Sequence, residues 1–254
     1  MEALPRFDLQ GKVALVTGAA RGLGRAIALA LAEAGSDVAL GLREIASDNG
    51  VTAEVAGRGR KALPLQMDMT SPEQIRQAVD TTAQHFGRLD ILVNNAGIAP
   101  DNLAENVTEE DFDRTLAINL KGTFLCTQAF FGHMCDRRSG HIVNIVSRAG
   151  KVASAKFGAY AASKFGMLGF TQTTDAEGIE FGVKATALTP GAVDTQQRAE
   201  NHVDDHSKLL QPEDVADYVA FIVTRPARVY IAEASPIAQA LKPLPAGGYL
   251  RPGI

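Results

Sequence analysis

Absences narrow this sequence first. Cysteine is scarce, with only Cys126 and Cys135 in 254 residues, and two thiols cannot build a disulfide framework. Both fall in what reads as one helix, roughly 13 Å apart along its axis at about 1.5 Å per residue, too far to bridge. Two free thiols in a reducing cytoplasm are the expectation. No apolar run reaches the roughly 18 residues of a membrane-spanning helix, and the opening segment MEALPRFDLQGK has no apolar signal core. Positive charge is short as well. The 25 Lys and Arg against 29 Asp and Glu leave a net charge of −4, which supplies no bulk attraction to nucleic acid or to an anionic membrane. The basic run Arg58-Gly-Arg-Lys61 is too brief to reverse that and is expected as a solvated loop. His202 and His206, four apart with Asp204 and Asp205 between them, lack a third ligand, so no metal site is expected. No G-x-S-x-G elbow occurs, which leaves hydrolase chemistry of that kind unsupported.

What is present fits a folded chain. Hydrophobic residues make up 46% and charged residues 21%, close to the soluble norm and outside the disordered range. The 24 glycines are a mild excess over an ordinary share of about 7%. Short β-branched runs alternate with longer segments of helical period. Strands are expected at 12–17, 37–42, 61–66, 89–93, 141–146 and 183–188, with a weaker seventh near 228–234. Helices are expected near 23–34, 45–55, 72–86, 109–135, 157–176 and 212–223. Pro72 and Pro212 stand at first-turn positions, where a fixed φ and a missing N–H cost nothing. Strict alternation of β and α units predicts a doubly wound parallel sheet, an α/β Rossmann-like fold of about seven strands with helices on both faces. The runs ALVTG, DILVNNAG and HIVNIVS are apolar without alternation, as strands covered on both sides should be. Residues 1–254 are expected to form one domain. Within it, 191–210 is a polar loop or lid over the substrate, and 241–254 is an irregular Pro- and Gly-rich tail.

Thr17-Gly-Ala-Ala-Arg-Gly-Leu-Gly24 follows the first strand and opens the first helix. A helix start offers free N–H groups and a positive dipole end, and glycine lets backbone approach a pyrophosphate closely. Further along come Asn94-Asn-Ala-Gly97, Ser147, Tyr160 followed four residues later by Lys164, and Pro190-Gly191. Five motifs in this order and spacing make the chain resemble the short-chain dehydrogenase/reductase family from about Phe7 to Phe221.

Tyr160 and Lys164 share a helix face. A nearby ammonium lowers a phenol's pKa, so Tyr160 is the expected general acid for ketone reduction and general base for alcohol oxidation. Ser147 ends the fifth strand, where ligand sites of parallel sheets gather, and its hydroxyl can hold the substrate oxygen. The resemblance adds Asn119, an asparagine inside a helix with a water-linked proton path to Lys164. It also implies a nicotinamide dinucleotide held by Gly18, Arg21, Gly22, Leu23, Gly24, Arg43, Asp68, Met69, Asn95, Ala96, Gly97, Pro190, Gly191, Val193 and Thr195, together with Tyr160 and Lys164. In this set Asp68 is the adenine-side acid and Thr195 the hydroxyl beside the nicotinamide amide, while Asp90 is structural.

Cofactor choice turns on the end of the second strand. A carboxylate there binds both ribose hydroxyls and repels a 2′-phosphate. Leu42 stands at that point and Arg43 follows, so NADP(H) is expected over NAD(H), with Arg43 and Arg21 supplying positive charge. The expected reaction is interconversion of a ketone and a secondary alcohol, with a 3-oxoacyl thioester on a carrier protein as one substrate. The alternatives are an NAD-dependent sugar or sugar-acid dehydrogenase, an epimerase or dehydratase using the same Tyr–Lys pair, and a non-catalytic nucleotide sensor. Arg148, Lys151, Lys156, Gln196, Gln197, Arg198 and His202 on the two loops favour a polar or anionic substrate if they face inward. A homo-oligomer, dimer or tetramer, is implied by the resemblance. The pattern departs from the family at Thr174 and Asp175, in a helix that packs between subunits in relatives, at Thr186 before the Pro-Gly turn, and in the C-terminal ending.

Overall fold

β1 (Val13–Thr17) is buried along its whole length, and its alternate side chains enter two separate cores. Ala14 and Val16 pack with α1 (Gly22–Glu33) and α8 (Pro212–Val223). Val13 and Leu15 pack with α3 (Pro72–Phe86) and α5 (Gly122–Asp136). A strand covered on both faces needs no polar alternation, which is why ALVT shows none. The computed structural model describes residues 8–199 and 205–239. The remaining strands are β2 (Asp37–Leu42), β3 (Ala62–Gln66), β4 (Ile91–Asn94), β5 (Gly140–Ile145), β6 (Val183–Leu188) and β7 (Glu233–Ala234). They form one seven-stranded sheet in the order β3-β2-β1-β4-β5-β6-β7, with every pair parallel. The order reverses between β1 and β4, and a crevice opens at the carboxyl ends of such a pair.

Three elements differ from expectation. The helix expected at 45–55 is a single 3-10 turn, Ile45–Ser47, followed by α2 (Val51–Gly57). Asn49 and Gly50 separate them at φ of 50° and 80°, left-handed conformations that no helix continues through. The helix expected over 109–135 runs as α4 (Glu109–Leu116), a π-helical segment Ala117–Lys121, and α5. The seventh strand is only two residues long.

The segment before β7 is held by side chains instead. On α6 (Gly158–Gly178), Asp175 accepts from the Ala185 N–H at 2.9 Å and from the Tyr230 hydroxyl at 2.5 Å. Lys184 Nζ donates to Val229 O at 2.6 Å. Thr186 donates its one hydroxyl proton to Ile231 O at 2.6 Å, so its oxygen accepts from His141 Nε2 at 2.9 Å. The unusual Asp175, the unusual Thr186 and the divergent C-terminal stretch are therefore one polar seam. Thr174 and Asp175 are 3% and 7% exposed. They are committed inside the chain, not presented on the outer face of α6.

The two cysteines are unpaired, and Cys126 is buried. Among the described residues, no helix is long and apolar enough to cross a membrane.

Burial, reinforced by the Lys184 charge, pulls the His141 imidazole down from 6.5 to about 3. Between those values the unfolded chain binds a proton that the folded chain refuses. His141 therefore leaves stability intact above pH 6.5 and erodes it as pH falls toward about 3. Replacing it, as in His141→Gln, is expected to flatten the acid-side decline of Tm followed by circular dichroism. An unchanged slope would remove His141 from this account.

Candidate active site

The glycine-rich turn is built for close backbone contact. Gly18 and Gly22 adopt φ of 67° and 54°. A Cβ on Gly24 would land inside the van der Waals shell of Gly18 O. Only glycine lets α1 start this tightly against the end of β1. Arg21 precedes α1, no side chain caps its first turn, and no acidic residue stands there. The first N–H groups thus lie bare at the positive end of the helix dipole, which suits a phosphate.

Thr17 ties this turn across the crevice. Its hydroxyl oxygen accepts from the N–H groups of Asn95 at 3.0 Å and Ala96 at 2.9 Å. In return Asn95 Nδ2 donates to Thr17 O at 2.9 Å. Asn94 steadies the strands beneath, donating to Asn144 Oδ1 at 2.8 Å, and Asn144 in turn donates to Thr171 on α6 at 2.8 Å. Residues after β6 close the far side. A Cβ on Gly22 would come within 3.6 Å of Thr195 Cγ2, and Gly191 N donates to Pro236 O at 2.9 Å.

The titratable cluster forms where β5 meets α6. Ser147, two residues past the end of β5, has φ 101°, a strained conformation for a residue bearing a side chain. Its hydroxyl accepts from Ala149 N at 3.2 Å and lies close enough to the Tyr160 phenol to pull its pKa down. Lys164 Nζ lies 5.7 Å from the Tyr160 ring centre and donates to Ile145 O at 2.8 Å. A Cβ on Gly97 would sit 3.1 Å from Asn119 Oδ1 and 3.8 Å from Lys164 Nζ, so the loop after β4 passes directly over both. Asn119 lies in the π-helical segment and is fully buried. Its amide accepts from Ile98 N at 2.8 Å and donates to Ile98 O at 2.8 Å and Ser163 Oγ at 3.0 Å. Ser163 in turn donates to Tyr160 O at 2.7 Å. The π insertion turns an otherwise poor helix residue inward, where the loop and the next helix both need a partner.

Electrostatics here correct one expectation. Burial holds the Tyr160 phenol above 10.0, and it outweighs the Ser147 hydrogen bond and the Arg198 charge that pull it down. Burial also pushes Lys164 from 10.5 down to about 7. Spacing placed an ammonium beside the phenol, but the shared apolar setting disfavours both charged forms.

The other expected residues divide. Leu42 is fully buried, so no carboxylate ends β2. Arg43 is 73% exposed, with Nε 3.8 Å from Glu44. Asp68 closes its own turn, accepting from Thr70 N and Oγ1, and these bonds, with the charges of Arg43 and Arg114, lower its pKa. Met69 packs where a Cβ on Gly122 would fall, and Leu23 packs on the α1 core. Pro190 O accepts from Arg148 N at 3.0 Å, and Val193 bridges to Leu210. Lys151 pairs with Glu233 at 2.5 Å. Asp90 is structural, gripped by Arg88 and Lys12 and accepting from Val13 N. In the basic run, Arg60 pairs with Asp37. His206 pairs with Asp194 at 2.7 Å, and His202 lies outside the described residues. Among the described residues, no three His, Cys, Asp or Glu group as metal ligands.

Three contributors had no role assigned from sequence: the Thr17 hydroxyl, Ser163 and the Ile145 carbonyl. Thr17 and Ser163 lay inside quoted motifs, and their types, small hydroxyls beside glycine or lysine, were the available signal. A backbone carbonyl leaves no such signal.

Comparison with known proteins agrees with this geometry. A family model described as short chain dehydrogenase matches residues 12–206. A 3-oxoacyl-[acyl-carrier-protein] reductase of Synechocystis is 37% identical over 230 residues, covering 88% of this chain and 93% of that reductase. A D-threitol dehydrogenase of Mycolicibacterium smegmatis is 41% identical over 190 residues, covering 75% and 73%. An alcohol dehydrogenase from the archaeon Thermococcus sibiricus, solved as a complex with 5-hydroxy-NADP, superposes with a TM-score of 0.86 at 27% identity, covering 92% of this chain and 99% of that one.

Gly24→Ala tests the turn. The added methyl is expected to cost about 1–3 kcal/mol through overpacking and to weaken dinucleotide binding, read by thermal unfolding and fluorescence titration. Wild-type values in both would refute the close-approach account.

Proposed function

The chain belongs to the short-chain dehydrogenase/reductase family, and from that premise we propose that it reduces 3-oxoacyl thioesters with NADPH. It is an NAD(P)-dependent oxidoreductase acting on CH–OH and C=O groups of a small-molecule substrate. The observation that carries the reading is the convergence of Ser147, Tyr160 and Lys164 beside the glycine-rich turn. The turn fits a pyrophosphate because a Cβ on Gly24 has no room and the α1 N–H groups are uncapped.

In this reading Gly18, Arg21, Gly22, Leu23 and Gly24 hold the pyrophosphate side. Asp68, Met69, Asn95, Ala96 and Gly97 hold the adenosine side, and Pro190, Gly191, Val193 and Thr195 the nicotinamide side. The bound dinucleotide supplies the hydride and, when oxidised, a positive charge. Ser147 orients the substrate oxygen. Tyr160, kept protonated by burial, donates its phenolic proton to that oxygen as negative charge develops there. Lys164 sets the polarity behind Tyr160, and Asn119 fixes the helix that carries both. Because Lys164 sits at about 7, the charge delivered with the cofactor matters to its protonation.

NADP preference is supported by the missing carboxylate at Leu42 and by Arg43, which is exposed at the strand end. The thioester is supported by the reductase from Synechocystis, which aligns along most of both chains. The threitol dehydrogenase favours a second reading, oxidation of a polyol.

Assay of acetoacetyl thioesters and polyols with both dinucleotides decides between them. Faster turnover of the thioester, with a KM for NADPH well below that for NADH, is expected. Polyol oxidation with NAD as the preferred pair would overturn the proposal. Tyr160→Phe is expected to lower kcat by about a hundredfold or more, the usual worth of a general acid, while NADPH still binds. Retained turnover would displace Tyr160 from its role.

A further inference from the structure

Gln66 is the last residue of β3 and pairs in register with Leu42, the last residue of β2. The backbone ladder ends there with Met67 N donating to Leu42 O at 2.6 Å. The Gln66 side chain then carries the pairing further. Its Nε2 donates to Arg43 O at 2.7 Å, and its Oε1 accepts from Ile45 N at 3.4 Å. One primary amide thus satisfies a carbonyl and an N–H that bracket Glu44, as another peptide group of the sheet would. Two further side-chain bonds hold this turn, one local and one to the glycine-rich turn. Ser47 Oγ donates to Glu44 O at 2.6 Å, and Asn49 Nδ2 reaches Ala20 O, in the glycine-rich turn, at 3.3 Å.

Arg43 has little side-chain support. It is 73% exposed, and its nearest carboxylate, Glu44, is 3.8 Å away and itself 65% exposed. A long side chain in that setting takes its direction from its backbone. Exposed ion pairs of this kind add little restraint.

We infer that Gln66 is a positioning residue for cofactor selectivity, holding the backbone of residues 43–45 so that the Arg43 guanidinium meets a 2′-phosphate. The inference rests on the NADP reading above and extends it to a residue outside the glycine and tyrosine motifs. Gln66 touches neither substrate nor reacting atoms, so its effect is confined to ligands that carry the 2′-phosphate. A bidentate guanidinium–phosphate contact depends on orientation, so loosening its anchor weakens it without removing it.

Binding of adenosine 2′,5′-bisphosphate and adenosine 5′-phosphate, measured by calorimetry, tests this without turnover. Four proteins are compared: wild type, Gln66→Leu, Arg43→Ala and the double variant. Gln66→Leu keeps the side chain's bulk and removes both hydrogen bonds. It is expected to weaken the bisphosphate by about three- to tenfold, the scale of one net hydrogen bond, and to leave the 5′-phosphate unchanged. The double variant is expected to bind the bisphosphate no more weakly than Arg43→Ala alone, because Gln66 acts through Arg43. The same split is expected in kinetics, with KM for NADPH raised while kcat and KM for NADH hold. Equal weakening of both ligands by Gln66→Leu, or no weakening, overturns the role of Gln66 while leaving Arg43 intact. Full bisphosphate affinity in Arg43→Ala overturns the NADP reading itself, and the inference with it.

Discussion

The contact between the start of α1 and the end of β1 constrains everything around it. Gly24 must lack a side chain for the helix to begin this close to Gly18 O, and that closeness points bare helix N–H groups into the crevice. The same turn has to be held against the strand across the crevice. One threonine hydroxyl does this, because Thr17 faces two consecutive N–H groups, Asn95 and Ala96, as the chain leaves β4. Each of those donors would otherwise be left unpaired at a partly buried site, at a cost of about 1–3 kcal/mol apiece. The glycine-rich turn and the loop over Lys164 are therefore one rigid piece, and the position of Gly97 above Asn119 and Lys164 follows from it.

The Tyr160–Lys164 cluster is organised by burial more than by charge pairing. Lys164 donates to Ile145 O at 2.8 Å and to the weak acceptor Met167 Sδ at 3.6 Å, and is otherwise buried. An ammonium so placed is destabilised, and so is a phenolate at Tyr160. Burial thus raises the phenol and brings Lys164 down to about 7, and a positive charge bound nearby would shift the phenol back toward phenolate. The geometry must stay rigid for such a balance to be useful. Asn119 and Ser163 provide this by binding the π-helical segment, the Ile98 peptide and the first turn of α6 into a continuous chain of hydrogen bonds.

Much of this was legible from the residues. Buried parallel strands declare themselves as apolar runs bounded by glycine and asparagine, and six of the seven began and ended within two residues of their expected positions. The glycine turn, Ser147, Tyr160 and Lys164 were legible because each motif couples residue type to a fixed spacing. The break between Ile45 and Val51 was missed because two left-handed residues, Asn49 and Gly50, override a helical pattern that continues on either side of them. The direction of the Tyr160 shift was missed for a different reason. Spacing on a helix reports that an ammonium is near, but the solvation of both groups depends on the end of β5 and the loop after β4, which that spacing does not report.

The departures from the family pattern acquire a common cause in three dimensions. With β7 reduced to two residues, backbone pairing is too short to hold the C-terminal segment against β6. Asp175, Lys184 and Thr186 replace it with side-chain bonds to Tyr230, Val229 and Ile231. The same segment continues upward to the site. Thr189 N donates to Ala234 O at 2.8 Å, Gly191 N reaches Pro236 O, and Glu233 holds Lys151 in the loop after Ser147. The loops after Ser147 and after β6 thus both lean on a strand whose anchorage lies at the opposite end of β6. Asp175, Lys184 and Thr186 thus support the loops after Ser147 and after β6 from the far end of the strand. Asp175 can be a buried carboxylate because a backbone N–H and a phenol satisfy its oxygens and the Lys184 charge lies nearby, and the bond to the phenol secures the segment that the short strand cannot.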